Sequence, residues 1–321
     1  MPVPDVVCVC RVVAADTPLD PPICHPCHPA PETIDAVIAF ALVLLAVALA
    51  WPVPRLMARA QVFRRSPRAA LFAWQCVTLS AILAALAAAP AVAPLVLFDG
   101  QEVWKHFVIL VVAACVSGLM LARLLIAGHS IGRRMRVLRA RHRDLVDIIA
   151  LDHDPHTRVR VLDHPVPTAY CLPGRDSRVV ISQGVLEAMP PKALEAVLAH
   201  EGAHLHARHD LLVEFFSVIH ETVPPPVRCS AAMTEVRLLV EALADRASVR
   251  RVGKAATRDA LLALAGSKAP AGAMAAGSGS TAVRLDLVDH AEPRRAMSAV
   301  MYAYAIGLIA LPLALLALAW T

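Results

Sequence analysis

AVLAHEGAHLHARHD, residues 196–210, puts four histidines, one glutamate and one aspartate into fifteen positions of a mostly apolar chain. A helix turns each side chain by about 100°, so with His200 at zero, His204 lies about 40° away and Glu201 about 100° away. These three share a face. On the same wheel His206, His209 and His220 fall on the far side, at about 240°, 180° and 200°, and they cannot reach the same ion while the helix continues. The pattern H-E-x-x-H offers two imidazoles one turn apart for a zinc ion, with the intervening glutamate turned toward the open coordination position.

Such a site needs a third ligand. Asp210 would supply it if the chain left the helix at a glycine, but Ala207, a strong helix former, stands there and an apolar run follows, so a helix is predicted from Pro191 to about His220. The alternative is LLVEALADRAS, residues 238–248, on a second helix predicted from about Ser230 to Val252. Glu241 and Asp245 are one turn apart there, amid Leu238, Leu239, Val240, Leu243 and Ala247. Glu241 would complete a His2Glu site open at the fourth position, and Asp245 would accept the outer N–H of a ligating histidine. Glu235 is the fallback ligand.

The rest of the 321 residues places this site at a membrane. With 58% apolar residues and a mean hydropathy of +0.59, the chain is too apolar for an ordinary soluble domain. Four apolar runs, 33–51, 71–98, 106–127 and 298–320, are long enough to cross a hydrocarbon core of about 30 Å. Arg55, Arg59, Arg64, Arg65 and Arg68 follow the first run without an acid, and Arg133, Arg134, Arg136, Arg139, Arg141 and Arg143 follow the third. This asymmetry puts those loops in the cytosol and both termini outside. The arginines are read as topology signals touching anionic headgroups. Without interleaved aromatics, the net charge of +5 implies no nucleic-acid partner.

The predicted organisation is a disordered extracytoplasmic tail over 1–32, three spans within 33–127, a cytoplasmic domain over 128–297 and a fourth span over 298–321. The tail carries Cys8, Cys10, Cys24 and Cys27, and its CHPCH matches a haem-attachment pentapeptide without any folded pocket around it. Inside the domain, RVRVL (158–162) and SRVVISQG (177–184) read as strands joined by a proline-rich loop, a third helix is predicted over about 257–265, and 266–282 has linker composition.

PTAYCLPG (167–174), VVISQGVLEAM (179–189), LEAVLAHEGAHLHARHD (194–210) and LVEALAD (239–245), with three spans before the domain and one after, together resemble the BlaR/MecR-type membrane metallopeptidases and, more distantly, HtpX-like proteases. The resemblance implies a mostly α membrane protein with a cytoplasmic α+β zincin-like (gluzincin) domain between spans three and four. It also implies one Zn2+ held by His200, His204 and Glu241, with Glu201 as the catalytic base and Asp245 behind the ligands. The expected activity is metalloendopeptidase cleavage of a protein or peptide on the cytoplasmic side of the plasma membrane, with a transcriptional repressor as the family's kind of target. An extended substrate is expected to pair with Val179, Val180 and Ile181. His209, His220 and the domain's arginines are the candidates for stabilising the oxyanion. The penicillin-binding sensor of the antibiotic receptors is not found up to Thr321, and Gly202 stands where a larger apolar residue is commoner. The alternative function is a non-proteolytic zinc-containing signalling protein.

Overall fold

The computed structural model describes residues 31–98, 103–151, 158–265, 274–275, 281–290 and 295–320. The cysteine-rich tail with its CHPCH lies outside these residues, as does most of the linker-like segment 266–282. The described chain runs α1 (Pro31–Ala50), α2 (Pro52–Arg59), α3 (Pro67–Phe98), α4 (Val103–Ile149), β1 (Val159–Leu162), β2 (Ala169–Leu172), β3 (Arg178–Ser182) and α5 (Gln183–Ala188). It continues with α6 (Pro191–His206), α7 (His209–Thr222), α8 (Ser230–Val252), α9 (Lys254–Ala263), β4 (Met274–Ala275), α10 (Thr281–Asp289) and α11 (Arg295–Leu318).

Four stretches, Val37–Arg59, Pro67–Pro94, Phe107–Ile149 and Arg295–Leu318, are long and apolar enough to cross a bilayer, which points to a multi-pass membrane protein. α3 is the hub of the bundle. Its alanines Ala84, Ala87 and Ala91 pack against Ile38 and Leu42 of α1 and against Ala319, because small side chains let helices approach closely where lipid offers no hydrophobic drive. Ser117 of α4 donates a 2.9 Å hydrogen bond to the Ala85 carbonyl, a polar tie across the same bundle. Pro90 and Pro94 both lie within α3, which continues to Phe98.

α4 has 47 residues, about 70 Å at 1.5 Å per residue, twice what a hydrocarbon core needs. Its C-terminal part therefore reaches beyond the bundle. There Val146 packs against Tyr170, Leu172 and Val180 on one face of the sheet. The opposite face, Ala169, Cys171, Val179 and Ile181, is covered by Ala193, Ala196 and Val197 of α6 and by Ala256 and Ala260 of α9. Side chains alternate across a strand, so one short sheet holds the end of a span on one side and the histidine helix on the other.

The sheet order is β1-β3-β2-β4, with β1 parallel and β2 antiparallel to β3. The connection expected to be a loop thus contains β2. AYCL is too short to show a strand period between its flanking prolines, and it is fixed by pairing with β3 instead. The single helix expected over 191–220 is also two helices. α6 ends at His206, and Arg208 adopts the left-handed conformation (φ 51°, ψ 43°) before α7 begins at His209.

The arginines around the membrane ends make specific contacts within the protein. Arg55 donates to the carbonyls of Val227 (3.5 Å) and Arg228 (3.3 Å), Arg123 to that of Thr222 (2.9 Å), and Arg64 forms an ion pair with Glu235. They fasten the α7–α8 connection and the start of α8 to the spans.

Candidate metal centre

α6 starts on Pro190 and Pro191, where a missing N–H costs nothing and the fixed φ suits the first turn. Its apolar face, Ala193, Ala196 and Val197, is drawn onto the sheet, and this rotation sends His200, Glu201 and His204 into the protein, at 5%, 0% and 1% exposure. α8 packs across α6 through a helix buried along most of its length, which carries Glu241 to the two imidazoles.

The His200 and His204 Nε2 atoms lie 3.1 Å apart, and Glu241 oxygens lie 3.3 Å from the first and 3.5 Å from the second. Ligand atoms at 2.0–2.1 Å around a tetrahedral ion are spaced by about 3.3 Å, and here one ligand atom from each residue lies within 4.8 Å of the others, close enough to gather on a zinc-sized ion. The three residues form the one such group among those described. Both Glu201 carboxylate oxygens are buried with no hydrogen-bond partner, as expected of acceptors made to face an ion and water, whereas Glu241 Oε2 is held by ion-pair contacts to a histidine and an arginine.

Each imidazole is oriented from behind. His200 Nδ1 lies 2.9 Å from Asp245 Oδ1, so its N–H donates there and Nε2 is left to face inward. His204 Nδ1 lies 3.0 Å from His209 Nδ1. With His204 Nε2 facing the centre, its Nδ1–H is the donor and His209 the acceptor. His209 suits that role, because burial and then the neighbouring His200 charge lower its pKa to about 4 and keep it neutral. His209 reaches this position because of the left-handed turn at Arg208. The helix break that a far-side histidine needs in order to approach does occur, and it brings the ring behind His204.

Arg284 of α10 closes the arrangement. It is 1% exposed and holds Asp245 in a fork, Nη2 to Oδ1 at 2.6 Å and Nε to Oδ2 at 2.8 Å, with Nη1 3.2 Å from Glu241 Oε2. Sequence reasoning missed it. It stands just past a Gly/Ala/Ser-rich stretch in a nine-residue helix, too short to display periodicity.

Burial opposes charge on His200, yet the hydrogen bonds to Asp245 and Glu241 outweigh it and raise its pKa to about 10. His200 must therefore give up a proton to bind a metal. Burial is also the main cause that raises Glu201 to about 7; the His200 charge opposes it and the Glu241 charge adds to it. A carboxyl group at that value can both take and return a proton near neutrality.

The other candidates go elsewhere. Asp210 is turned to Arg139 of α4 (3.3 Å), Glu235 is held by Arg64, His206 is exposed, and His220 is half-buried away from the triad. Val179, Val180 and Ile181 are not an edge: they pair with Val159, Arg160 and Val161 on one side and with Cys171, Tyr170 and Ala169 on the other. The insertion of β2 makes β3 an interior strand. Among the described residues, the outer side of β2 is paired only with Met274 and Ala275, opposite Cys171 and Tyr170.

Residues 133–223 match the model of peptidase family M48. The match spans α6 and α7 and supports a zinc metallopeptidase family, and with it a metallopeptidase that is metal-dependent and membrane-associated. It contains His200, Glu201 and His204 and ends before Glu241, Asp245 and Arg284. Searches of curated proteins and of solved structures returned no match.

Proposed function

We propose that the protein is an integral membrane zinc metalloendopeptidase of the BlaR/MecR-like kind, with His200, His204 and Glu241 as ligands and Glu201 as the base. The observation that carries this reading is the pair of orphaned Glu201 oxygens, buried on the same helix face as two imidazoles whose nitrogens converge with a carboxylate. A purely structural zinc site has no use for such a group. A bound zinc ion supplies Lewis acidity, polarising the scissile carbonyl and making water nucleophilic near neutral pH. Glu201 takes the proton of the attacking water at its carboxylate and hands it to the leaving nitrogen. Asp245 and His209 hold the two imidazoles in the tautomer that leaves Nε2 free, while Arg284 offsets the charge of Glu241 and Asp245.

An extended peptide would add along the outer side of β2, beside α6, taking the place of β4. By the arginine asymmetry of the loops the site faces the cytosol, so the substrate is a cytosolic or membrane-proximal protein, with a transcriptional repressor as the family's precedent.

Glu201→Gln keeps the shape of the site and removes the base. It is expected to lower peptide hydrolysis by about 10²–10⁴-fold while metal content stays at one equivalent. Comparing the proteomes of cells that express wild type and Glu201→Gln checks this and identifies the substrate. Cleavage fragments common to both would refute the hydrolase reading.

A further inference from the structure

The back of α6, turned away from the triad, borders a cavity of about 480 Å³ between α6, α8 and the start of α3. Arg68, Arg250, Arg251 and His206 line it, and among the described residues no carboxylate does. Arg251 is paired outside the lining with Glu195 (3.1 Å), whereas Arg68 and Arg250 have no ion-pair or hydrogen-bond partner among the described residues. Several guanidinium groups around one concavity repel each other and concentrate anions.

The location narrows the anion. Arg68 is the second residue of α3, whose candidate span begins at Pro67, so the cavity opens at the end of a membrane helix where headgroups lie. α8, which contributes Arg250 and Arg251, packs its Val236, Leu239 and Val240 against Ala69, Ala70 and Trp74 of α3 and Met301 of α11. Leu198 and Leu243 add an apolar wall beside the arginines. Gly202 completes the floor: a Cβ there would meet no atom within 4 Å, so any larger side chain would project into the open space.

We propose that this cavity binds the headgroup of an anionic phospholipid, its phosphate held by Arg68 and Arg250 and its glycerol end against Leu198 and Leu243. The lipid would share a wall with the metal centre, since His209 lines the cavity and bonds His204.

The test is native mass spectrometry of the full chain in detergent, challenged with phosphatidylglycerol or phosphatidylcholine at equal molar ratio. Wild type is expected to retain phosphatidylglycerol and release phosphatidylcholine. Arg68→Gln combined with Arg250→Gln is expected to lower retention about tenfold or more, Gly202→Leu to lower it by filling the space, and Arg250→Lys to preserve it. Arg59→Gln, outside the cavity, should bind as wild type does. Equal retention of both lipids, undiminished binding in the double variant, or displacement by millimolar inorganic phosphate would overturn the proposal. If the double variant does not fold, Gly202→Leu decides, because it adds a side chain over open space on an intact helix. No turnover is read, so the result stands apart from the peptidase assignment.

Discussion

His200, Glu201 and His204 lie within about one turn of α6, inside the stretch that matches peptidase family M48, whereas Glu241, Asp245 and Arg284 come from α8 and α10, beyond it. The first group is placed by helical geometry alone: once α6 forms and turns its alanines to the sheet, the three side chains have nowhere else to point. The second group is placed by tertiary packing and by a buried network of two carboxylates, one guanidinium and one imidazole. The difference teaches that reacting groups can be encoded locally while their electrostatic support is distributed along the chain, where single-residue changes act through stability as much as through chemistry.

The sharpest way to break that contrast is Arg284→Gln. It leaves Asp245 and Glu241 buried without their counter-charge and is expected to cost about 3–5 kcal/mol. Arg251→Gln, which opens the exposed pair with Glu195, should cost at most about 1 kcal/mol. Thermal unfolding in detergent compares the two, and equal losses would show that the buried network does not hold the second half together.

Next in size, His209→Ala removes the acceptor behind His204 and should weaken metal binding about 10–100-fold with the fold intact, as measured by chelator competition. An unchanged affinity would mean that the turn at Arg208 serves shape only. Arg208→Gly relieves a left-handed backbone at a residue with a Cβ and should stabilise the protein by about 0.5–1 kcal/mol. A loss of stability would instead assign the Arg208 side chain a structural task.

The last effect, absent at neutral pH and confined to alkaline solution, concerns the sheet beneath the metal centre. Burial pushes the Tyr170 phenol up to about 12, and its hydroxyl lies 3.1 Å from His142 of α4. The unfolded phenol ionises near 10, so the unfolded chain sheds its proton first as pH rises. The stability associated with the neutral phenol is complete below about pH 10 and is lost as pH climbs to the folded value. Alkaline melts of wild type and Tyr170→Phe should diverge in that window alone, the wild type falling faster.

Legibility in the sequence followed the range of the interaction. The H-E-x-x-H face, the α8 stripe with Glu241 and Asp245, and the four apolar runs all announce themselves through spacing over a few turns. The turn at Ala207–Arg208 did not, because neither residue is a usual helix stop, although Asp210 in the first turn of α7 is an N-terminal signal that could have marked it. β2 depends on its partner β3 for existence, and Arg284 on a fold that brings residue 284 to residue 245. Neither leaves a local trace. Glu235 shows the converse: spacing allowed it as a ligand, and its pairing with Arg64 across the spans removed it.

Arg284 is drawn from a helix that the ribosome delivers after every other member of the site. Until it emerges, a nascent chain holds Glu241 and Asp245 with His200 and His204 as their only partners among the site residues, and the guanidinium fork on Asp245 is missing. The buried counter-charge of the site is thereby its last part to be made, and it arrives together with the start of the last membrane helix.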